Sequence, residues 1–195
     1  MCSSDLPSNS IRLFGLSGSL RKESHSTSIL RTLAEAIAAQ ADLQMGNVGS
    51  LPLYNQDDDT ENAPAPVAAM RKAVAESQGL VIVTPEYNYG VPGVVKNAID
   101  WLSRPAYKSC LIGKPFLIIS SSPAFTGGVR AQAQIRESLM AALARPVIAG
   151  EVVLASVHTK IADGKLIDKA SIDFAVKALT QLINDAQAAP AAKAA

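Results

Sequence analysis

Two short runs of apolar residues constrain the fold of this chain more than any other feature. The run 80–83 reads LVIV, and the run 115–120 reads PFLIIS. A strand that is apolar on every side fits a parallel sheet covered on both faces, because alternate side chains point to opposite faces. A third apolar run, 11–16, is broken only by Arg12 and Gly15. The sequence therefore predicts a parallel sheet buried inside an α/β domain.

Segments with the apolar spacing of amphipathic helices alternate with the predicted strands. Five repeats of strand and helix predict one parallel sheet with helices on both faces and right-handed crossovers. Asp168 is expected to cap the last helix. We expect one domain at 11–188, a disordered N-terminal tail at 1–10 and a frayed C-terminal tail at 189–195. The predicted strands are 11–16, 41–48, 80–83, 115–120 and 147–154. The first predicted helix follows the loop that ends at Thr27 and runs to about Gln40, and the other predicted helices are 67–77, 94–102, 129–143 and 168–188.

Composition narrows the classes of protein that fit. The chain has 195 residues, and its formal net charge of +1 gives no electrostatic reason to expect a nucleic acid or an anionic membrane as partner. The N-terminus lacks the basic and apolar regions of a signal peptide, and no apolar run is long enough to span a bilayer. Cys2 and Cys110 form no C-x-x-C pair, so we expect a reducing cytoplasm. His25 and His158 are far apart in sequence, which makes a metal site unlikely.

Three loops with unusual composition follow the first, third and fourth predicted strands. They cover 17–27, 84–93 and 120–128. The carboxyl ends of parallel strands meet at one edge of a sheet, and ligands of such folds bind there, where the chain reverses its winding. The sequence therefore predicts one ligand site formed by these three loops.

The first loop is rich in hydroxyl groups and leads directly into a helix. Hydroxyls, free amides and a helix N-terminus suit a phosphate group, and Arg21 can add a charge-assisted contact. The alternative is a flexible turn with an ordinary Ser cap on the helix. A Walker loop and a G-x-G-x-x-G fingerprint are both absent, which favours one terminal phosphate over a pyrophosphate. The hydroxyl-bearing residues are Ser17, Ser19, Ser24, Ser26 and Thr27.

The second loop, PEYNYG at 85–90, is rigid and aromatic. Pro85 fixes one backbone angle, and we expect Gly90 to adopt angles forbidden to other residues. Tyr87 and Tyr89 suit a planar heteroaromatic ring, although a turn whose tyrosines cover the sheet edge is the alternative. Asn88 is expected to hydrogen-bond within its own loop.

Two charged residues beside these loops have open roles. Glu86 is a loop carboxylate with no visible partner, which gives little support for a general base. Arg130 lies in the first turn of a helix, against the helix dipole, so it serves a ligand, a subunit partner or only the solvent. The third loop, at 120–128, is either a close-approach surface for the ligand or a plain Gly-rich connector.

Two motifs resemble those of the NADPH-dependent FMN reductase family, which includes chromate and quinone reductases and azoreductases. The segment 18–27 (GSLRKESHST) resembles the family's G-S-x-R-x-x-S-x-N loop, and 85–101 (PEYNYGVPGVVKNAIDW) resembles its most recognisable segment. Ser26 stands where the family usually has Asn, and His25 where an aromatic residue is common. The resemblance implies a flavodoxin-like three-layer α/β/α sandwich with five parallel strands in the order 2-1-3-4-5, and a bound FMN.

The resemblance also assigns residues to the cofactor. Phosphate-binding positions match residues of the first loop, ring-binding positions match the second loop largely through its backbone, and Ser122 matches a further flavin contact. The matched phosphate positions are Ser19, Arg21, Ser24, Ser26 and Thr27, and the matched ring positions are Pro85, Glu86, Tyr87, Asn88 and Tyr89.

The activity that the resemblance implies needs no catalytic side chain, because hydride transfer is the chemistry of the flavin. We expect NADPH to reduce FMN and a small acceptor to reoxidise it by a ping-pong mechanism, the acceptor being quinone, chromate, an azo compound or free flavin. A homodimer or homotetramer is expected, with the helix 94–102 and Trp101 as a contact surface. The alternatives are a non-enzymatic electron carrier, against which the balanced charge argues, and a receiver-type domain, which would need acidic residues at the strand ends.

Overall fold

Helices cover both faces of a parallel sheet in the computed structural model of the chain, which describes residues 10–188. The expected tails at 1–9 and 189–195 lie outside the described residues. The strands are β1 (Ile11–Ser17), β2 (Ala41–Gly46), β3 (Gly79–Thr84), β4 (Pro115–Ser121), β5 (Arg145–Pro146), β6 (Val152–Leu154), β7 (Ile161–Ala162) and β8 (Lys165–Leu166). The α-helices are α1 (His25–Ala36), α2 (Ala65–Glu76), α3 (Gly93–Leu102), α4 (Val129–Ala141) and α5 (Lys169–Ala188).

The sheet has the predicted strand order, β2-β1-β3-β4-β5, and all its pairs are parallel. The register aligns Leu16 of β1 with Ile82 of β3, and Ile82 with Ile118 of β4. The three central strands therefore end together at one edge. This arrangement confirms the flavodoxin-like fold that the sequence predicts.

The fifth position of the sheet differs from the single strand expected at 147–154. Two short strands share that position: Pro146 of β5 pairs with Phe116, and Val152 of β6 pairs with Ile119. The amides of Arg145 and Val147 bond to the carbonyls of Lys114 and Phe116, and the chain then leaves the sheet until Val152. A Cβ at Gly150 would lie 2.9 Å from Cζ of Phe174, so α5 packs closely on the excursion.

Helix and strand boundaries otherwise follow the sequence pattern within a few residues. β2 ends at Gly46, earlier than expected, because Val48 begins a short 3₁₀ turn whose first residue is preceded by the Asn47 cap. The Asp163-Gly164 turn, expected from the sequence, joins β7 and β8 into a small antiparallel hairpin.

Two separate clusters of apolar side chains fill the space on the two faces of the sheet. On one face, Leu13 and Val83 pack with α1 and α5; on the other, Leu16 and Ile82 pack with α2, α3 and α4. All six residues of β3 are buried, as expected for a central parallel strand. No helix among residues 10–188 has the length and apolar character needed to cross a bilayer.

Trp101 belongs to the core and not to a contact surface. Its side chain is fully buried, its indole Nε1 donates a 2.9 Å hydrogen bond to the carbonyl of Pro52, and the Tyr54 ring packs edge-on against it. The expectation that Trp101 contributes to a subunit interface is therefore wrong. Buried Trp side chains generally find a partner for the indole N–H, and here that bond fixes the segment before Tyr54 to α3.

The acidic run 57–59 is only partly exposed to solvent. Asp57 and Asp58 are exposed, whereas Asp59 forms a 2.8 Å ion pair with Arg71. Arg71 also donates two hydrogen bonds to the carbonyl of Trp101, at the end of α3. The loop is thus tied to α2 and α3 at its last carboxylate.

Asp168 caps α5 and gives a pH-dependent prediction. Its carboxylate accepts a 3.0 Å hydrogen bond from the amide of Ser171, and the bonds from Ser171 lower the pKa of Asp168 below the usual 3.8. A carboxyl with a lowered folded-state pKa contributes stability above pH 3.8, and that contribution is lost as pH falls through the folded pKa.

We therefore expect Asp168→Ala to lower the midpoint of thermal unfolding at neutral pH, and the gap from wild type to narrow as pH falls below 3.8. Circular dichroism melts across an acidic pH series measure it. A gap that stayed constant through that range would show that the carboxylate charge does not stabilise α5.

Candidate functional site

The candidate site begins at the end of β1, at Gly18. A larger residue at this position would displace neighbouring side chains. The amide of Gly18 donates a 2.8 Å hydrogen bond to the carbonyl of Val83 on the neighbouring strand. A Cβ at Gly18 would lie 2.7 Å from Oγ1 of Thr84 and 2.9 Å from Cγ2 of Val95. The glycine therefore lets the first loop leave the sheet in close contact with β3 and α3.

Hydroxyl groups fix the start of α1 to the end of β1. Ser24 is the N-cap, and its Oγ accepts a 3.2 Å hydrogen bond from the amide of Thr27. The hydroxyls of Ser17 and Thr27 lie 2.8 Å apart and share a hydrogen bond. The ordinary-cap interpretation of Ser24 is thus correct, and it is compatible with a phosphate site because the cap orients the helix N-terminus.

Two further features of the first loop suit an anion. Amides in the first turn of a helix, here those of His25 and Ser26, have no acceptor within the helix and carry the positive end of its dipole. Arg21 is exposed, and within residues 10–188 its guanidinium has no carboxylate at ion-pair distance. Its backbone amide donates to Oγ of Ser19, which folds the loop back toward the strand.

His25 lies among cationic groups at this helix terminus. The pKa of His25 is lowered from 6.5 by its partial burial and by the positive charges of Arg21 and His158. Among the described residues, no three His, Cys, Asp or Glu side chains are grouped as a metal site would require.

The second loop is a two-residue β-hairpin. Tyr87 and Gly90 exchange both backbone hydrogen bonds, at 3.2 Å and 2.9 Å. The residues between them, Asn88 and Tyr89, have φ of 49° and 61°, as a type I′ turn requires. The expectation that Gly90 takes an unusual conformation is wrong, because the left-handed positions precede it.

Asn88 suits its position for a backbone reason. Asn tolerates the left-handed region better than most residues, whereas no hydrogen bond of its side chain is found within residues 10–188. The expected side-chain bond to its own loop is therefore not observed. Tyr89, at the second left-handed position, is 70% exposed and carries the guanidinium of Arg130 at 4.3 Å from its ring centroid.

Glu86 anchors the second loop to α4. Its side chain is only 8% exposed. One carboxylate oxygen accepts hydrogen bonds from the amides of Arg130 and Ala131, at 2.9 Å and 3.3 Å, and the other pairs with the Arg130 guanidinium at 3.3 Å. Glu86 thus caps a helix N-terminus, where a negative charge is favourable. Arg130 accordingly serves Glu86 and Tyr89, within the chain.

Ser122 secures the third loop to the strand beside it. Its amide donates to the carbonyl of Leu154, its carbonyl accepts from Val157, and its hydroxyl accepts from the amide of Ala124, each at 3.1 Å. Ser122 does not line the cavity described next. Its predicted flavin contact stays a prediction.

A cavity of about 510 Å³ lies between the first and second loops. Ser19, Arg21 and Tyr87 reach it, so the structure brings together residues predicted separately for phosphate and ring. Its lining is mostly apolar, and sequence reasoning missed most of it. The missed lining residues are Gly18, Leu20, Val48, Gly49, Leu51, Leu53, Pro92, Gly93, Val94 and Asn97.

Asn97 of α3 holds the cavity wall that contains Leu51 and Leu53 by two hydrogen bonds. Oδ1 of Asn97 accepts a 2.7 Å bond from the amide of Tyr54, and Nδ2 donates a 2.9 Å bond to the carbonyl of Pro52. The only sequence signal for this wall was an irregular apolar segment at 51–55 between two predicted elements.

A second cavity, of about 400 Å³, lies between α3 and α4. Charged residues such as Lys96, Arg104 and Glu137 line it, and no residue of the three loops does. We therefore take the cavity at the carboxyl edge of the sheet as the candidate active site.

Comparison with known proteins identifies the family of the chain. The model of the NADPH-dependent FMN reductase family matches residues 11–159. A quinone reductase of Escherichia coli is 37% identical over 179 residues, which are 89% of this chain and 94% of that protein. An NAD(P)H-dependent FMN reductase of Pseudomonas aeruginosa is 34% identical over 162 residues, covering 83% and 87%.

A solved structure has the same fold. FerB, a flavoenzyme NAD(P)H:acceptor oxidoreductase from Paracoccus denitrificans, superposes with a TM-score of 0.81 at 27% identity, covering 91% of this chain and 97% of that one. The strand order shows a flavodoxin-like fold, and the family match shows an oxidoreductase that uses FMN and NAD(P)H. The chain belongs to the NADPH-dependent FMN reductase family.

Gly93 offers a direct test of the cavity. It lines the cavity, and a Cβ there would meet nothing within 4 Å, so a larger side chain fits without disturbing the protein. We expect Gly93→Leu to fill the cavity and to lower FMN affinity or kcat/KM for a quinone at least about tenfold, a loss of about 1.4 kcal/mol. The melting temperature of the apoprotein should not fall.

Fluorescence titration with FMN and steady-state assays provide the measurements for Gly93→Leu. Unchanged affinity together with unchanged turnover would show that the cavity serves neither the flavin nor its substrates.

Proposed function

We propose that the protein is an NAD(P)H:quinone oxidoreductase in which the three loops hold FMN at the carboxyl edge of the sheet. The observation that carries this proposal is the junction of an anion-binding helix terminus and an apolar cavity, which Ser19 and Arg21 line together with Tyr87. A flavin mononucleotide has one phosphate and one planar ring system. The helix terminus suits the phosphate, and the apolar cavity suits the ring.

The phosphate would be held at the start of α1. Ser19 and Ser26 offer hydroxyls, the first-turn amides offer donors, and Arg21 offers a charge without a competing carboxylate. Ser24 and Thr27 would contribute mainly by orienting the helix, since their hydroxyls already bond within the chain. The neutral form of His25 that its lowered pKa favours leaves the positive charge to Arg21.

The ring would lie along the backbone of the second loop. This loop contains the hairpin, and hydrogen bonds hold both of its ends, so its peptide groups have constant directions. The proposed ring positions in it are Pro85, Glu86, Tyr87, Asn88 and Tyr89. Bound FMN supplies the hydride-accepting and electron-donating chemistry. The side chains around the cavity orient the reactants and exclude water from them.

The character of the cavity favours an apolar, planar acceptor. Leu20, Leu51, Leu53 and Val94 supply apolar contacts that suit a quinone ring, whereas Arg21 is the one cationic side chain in the lining that a chromate dianion could pair with. The quinone reductase of Escherichia coli carries this substrate class in its name. Azo compounds and free flavin share the planar shape and are weaker candidates.

A ping-pong order follows if one cavity serves both substrates. Nicotinamide and quinone would each need the same apolar space, so oxidised nicotinamide would leave before the quinone binds. NADPH as the preferred donor, a cytoplasmic location and a homodimer or homotetramer stay predictions from the sequence and the family. The alternative of a pure electron carrier predicts no turnover of NADPH by the isolated protein.

Removing the proposed phosphate contacts gives the first test. We expect the double substitution Ser19→Ala with Arg21→Ala to weaken FMN binding about tenfold or more, because it removes a hydroxyl donor and a charge-assisted contact worth ~1.5 kcal/mol. The melting temperature of the apoprotein should stay constant, since both side chains are at the surface of the loop.

Lys22→Ala is the matched control for this double variant, because it removes a positive charge from the same exposed loop. Isothermal titration with FMN compares the three proteins. Equal affinities in the double variant and wild type would refute the phosphate assignment, and an equal loss in Lys22→Ala would reduce it to general charge attraction.

Anaerobic spectroscopy and steady-state kinetics test the reaction. We expect the purified protein to show a flavin absorption band that NADPH bleaches and a quinone restores. Initial rates at several quinone concentrations should give parallel double-reciprocal lines, as a ping-pong order requires. Bleaching without catalytic turnover would favour the electron carrier, and intersecting lines would contradict the shared cavity.

A further inference from the structure

Helix α4 touches the second loop at a point that the assignments above do not use. Gln134 lies one helical turn after Arg130, and its side chain reaches the loop backbone. Oε1 of Gln134 accepts a 2.8 Å hydrogen bond from the amide of Val91, and Nε2 donates a 3.4 Å bond to the carbonyl of Tyr89. Both partners are main-chain groups, and they lie on either side of Gly90.

The fit between Gln134 and the loop is close. A Cβ at Gly90 would lie 3.2 Å from Oε1 of Gln134. A side chain at position 90 would therefore crowd the amide group of Gln134. Glu86 fixes the beginning of the hairpin to the first turn of α4, and Gln134 fixes its end to the second turn.

The conformation of the hairpin tip explains why two anchors are needed. Asn88 and Tyr89 are adjacent non-glycine residues in the left-handed region, a conformation that costs free energy at each position. A two-stranded hairpin this short is marginal by itself in water. The conformation persists because the surrounding structure holds both ends.

We propose that Gln134 is a positioning residue for the flavin ring. Through the carbonyl of Tyr89 and the amide of Val91, it holds the hairpin tip in the conformation that presents its backbone to FMN. This inference rests on the proposed function for the identity of the ligand. The geometry of the anchor itself is a property of the chain alone.

A purely structural role for Gln134 would look different. Gln134 is exposed, and its removal opens no cavity in the core, so substitution should have little effect on global stability. A positioning role predicts instead a local change, confined to the loop and to the flavin that it contacts.

The experiment compares wild type with Gln134→Ala, Gln134→Glu and the control Arg136→Ala. Arg136 lies on the same helix, and its exposed ion pair with Glu151 points away from the second loop. Hydrogen exchange of the Val91 amide is measured in the apoprotein by NMR. FMN affinity is measured by fluorescence quenching, and the flavin absorption spectrum is recorded for each protein.

For Gln134→Ala we expect Val91 exchange to accelerate and FMN affinity to fall, each about three- to tenfold, as for the loss of one ordinary hydrogen bond. The flavin band should shift, while the melting temperature of the apoprotein stays that of wild type. Gln134→Glu keeps an acceptor for Val91 and loses the donor to Tyr89, so its exchange should stay near wild type.

Unchanged Val91 exchange in Gln134→Ala would overturn the inference, and so would faster exchange with unaltered FMN affinity and spectrum. An equal effect in Arg136→Ala would also overturn it. The outcome for the proposed function is separate: a wild-type protein that binds no FMN would contradict that function, whereas accelerated Val91 exchange in the apo variant would still support Gln134 as the loop's anchor.

Discussion

The close approach of Gly18 to β3 and α3 sets the position of everything at the carboxyl edge of the sheet. Its amide bonds to Val83, and its α-carbon faces Thr84 and Val95 with no room for a side chain. Because this contact is tight, the first loop leaves the sheet beside the second loop. The proximity of the loop before α1 to an apolar cavity follows from it.

Each loop at that edge is then tied to a rigid element by hydrogen bonds of its own. A shared hydroxyl bond joins Ser17 to Thr27, Glu86 caps α4, and Ser122 bonds to the strand beside it. Loops held in this way present backbone groups in fixed directions without the support of regular secondary structure. Such fixed directions suit a flavin-dependent reaction, because hydride transfer is the chemistry of the flavin and the protein supplies mainly orientation.

The sequence predicted the central strands of the sheet well, because a short apolar run is visible in the sequence without knowledge of its neighbours. Runs such as LVIV at 80–83 fit central parallel strands, and the intervening segments of helical period supply the cover for both faces. The split of the fifth strand was not predictable, since the excursion between β5 and β6 includes a tertiary contact, that of Gly150 with Phe174. Trp101 was misplaced for a related reason: a helix period shows which residues share a face but not which neighbour covers it.

The residues of the candidate site divide in the same way, into those visible from local composition and those defined by tertiary contacts. Hydroxyls, Arg21 and the aromatic hairpin were visible as composition, whereas the anchors Glu86 and Gln134 depend on contacts between residues more than forty positions apart. The sequence suggested unusual backbone angles at Gly90, because glycine is the usual residue for them, whereas the hydrogen-bond register places the left-handed pair at Asn88 and Tyr89. The cavity wall at Leu51 and Leu53 needed α3 to define it.

The central claim is that the carboxyl edge of the sheet grips FMN, with the phosphate at the start of α1 and the ring along the second loop. A crystal structure of the protein grown with FMN tests it most directly. The account predicts phosphate oxygens within hydrogen-bonding distance of Ser19 and the first amides of α1, and the ring against the backbone between Pro85 and Tyr89. Nucleotide bound in the cavity between α3 and α4, or a reversed orientation with the ring at the Ser-rich loop, would contradict it.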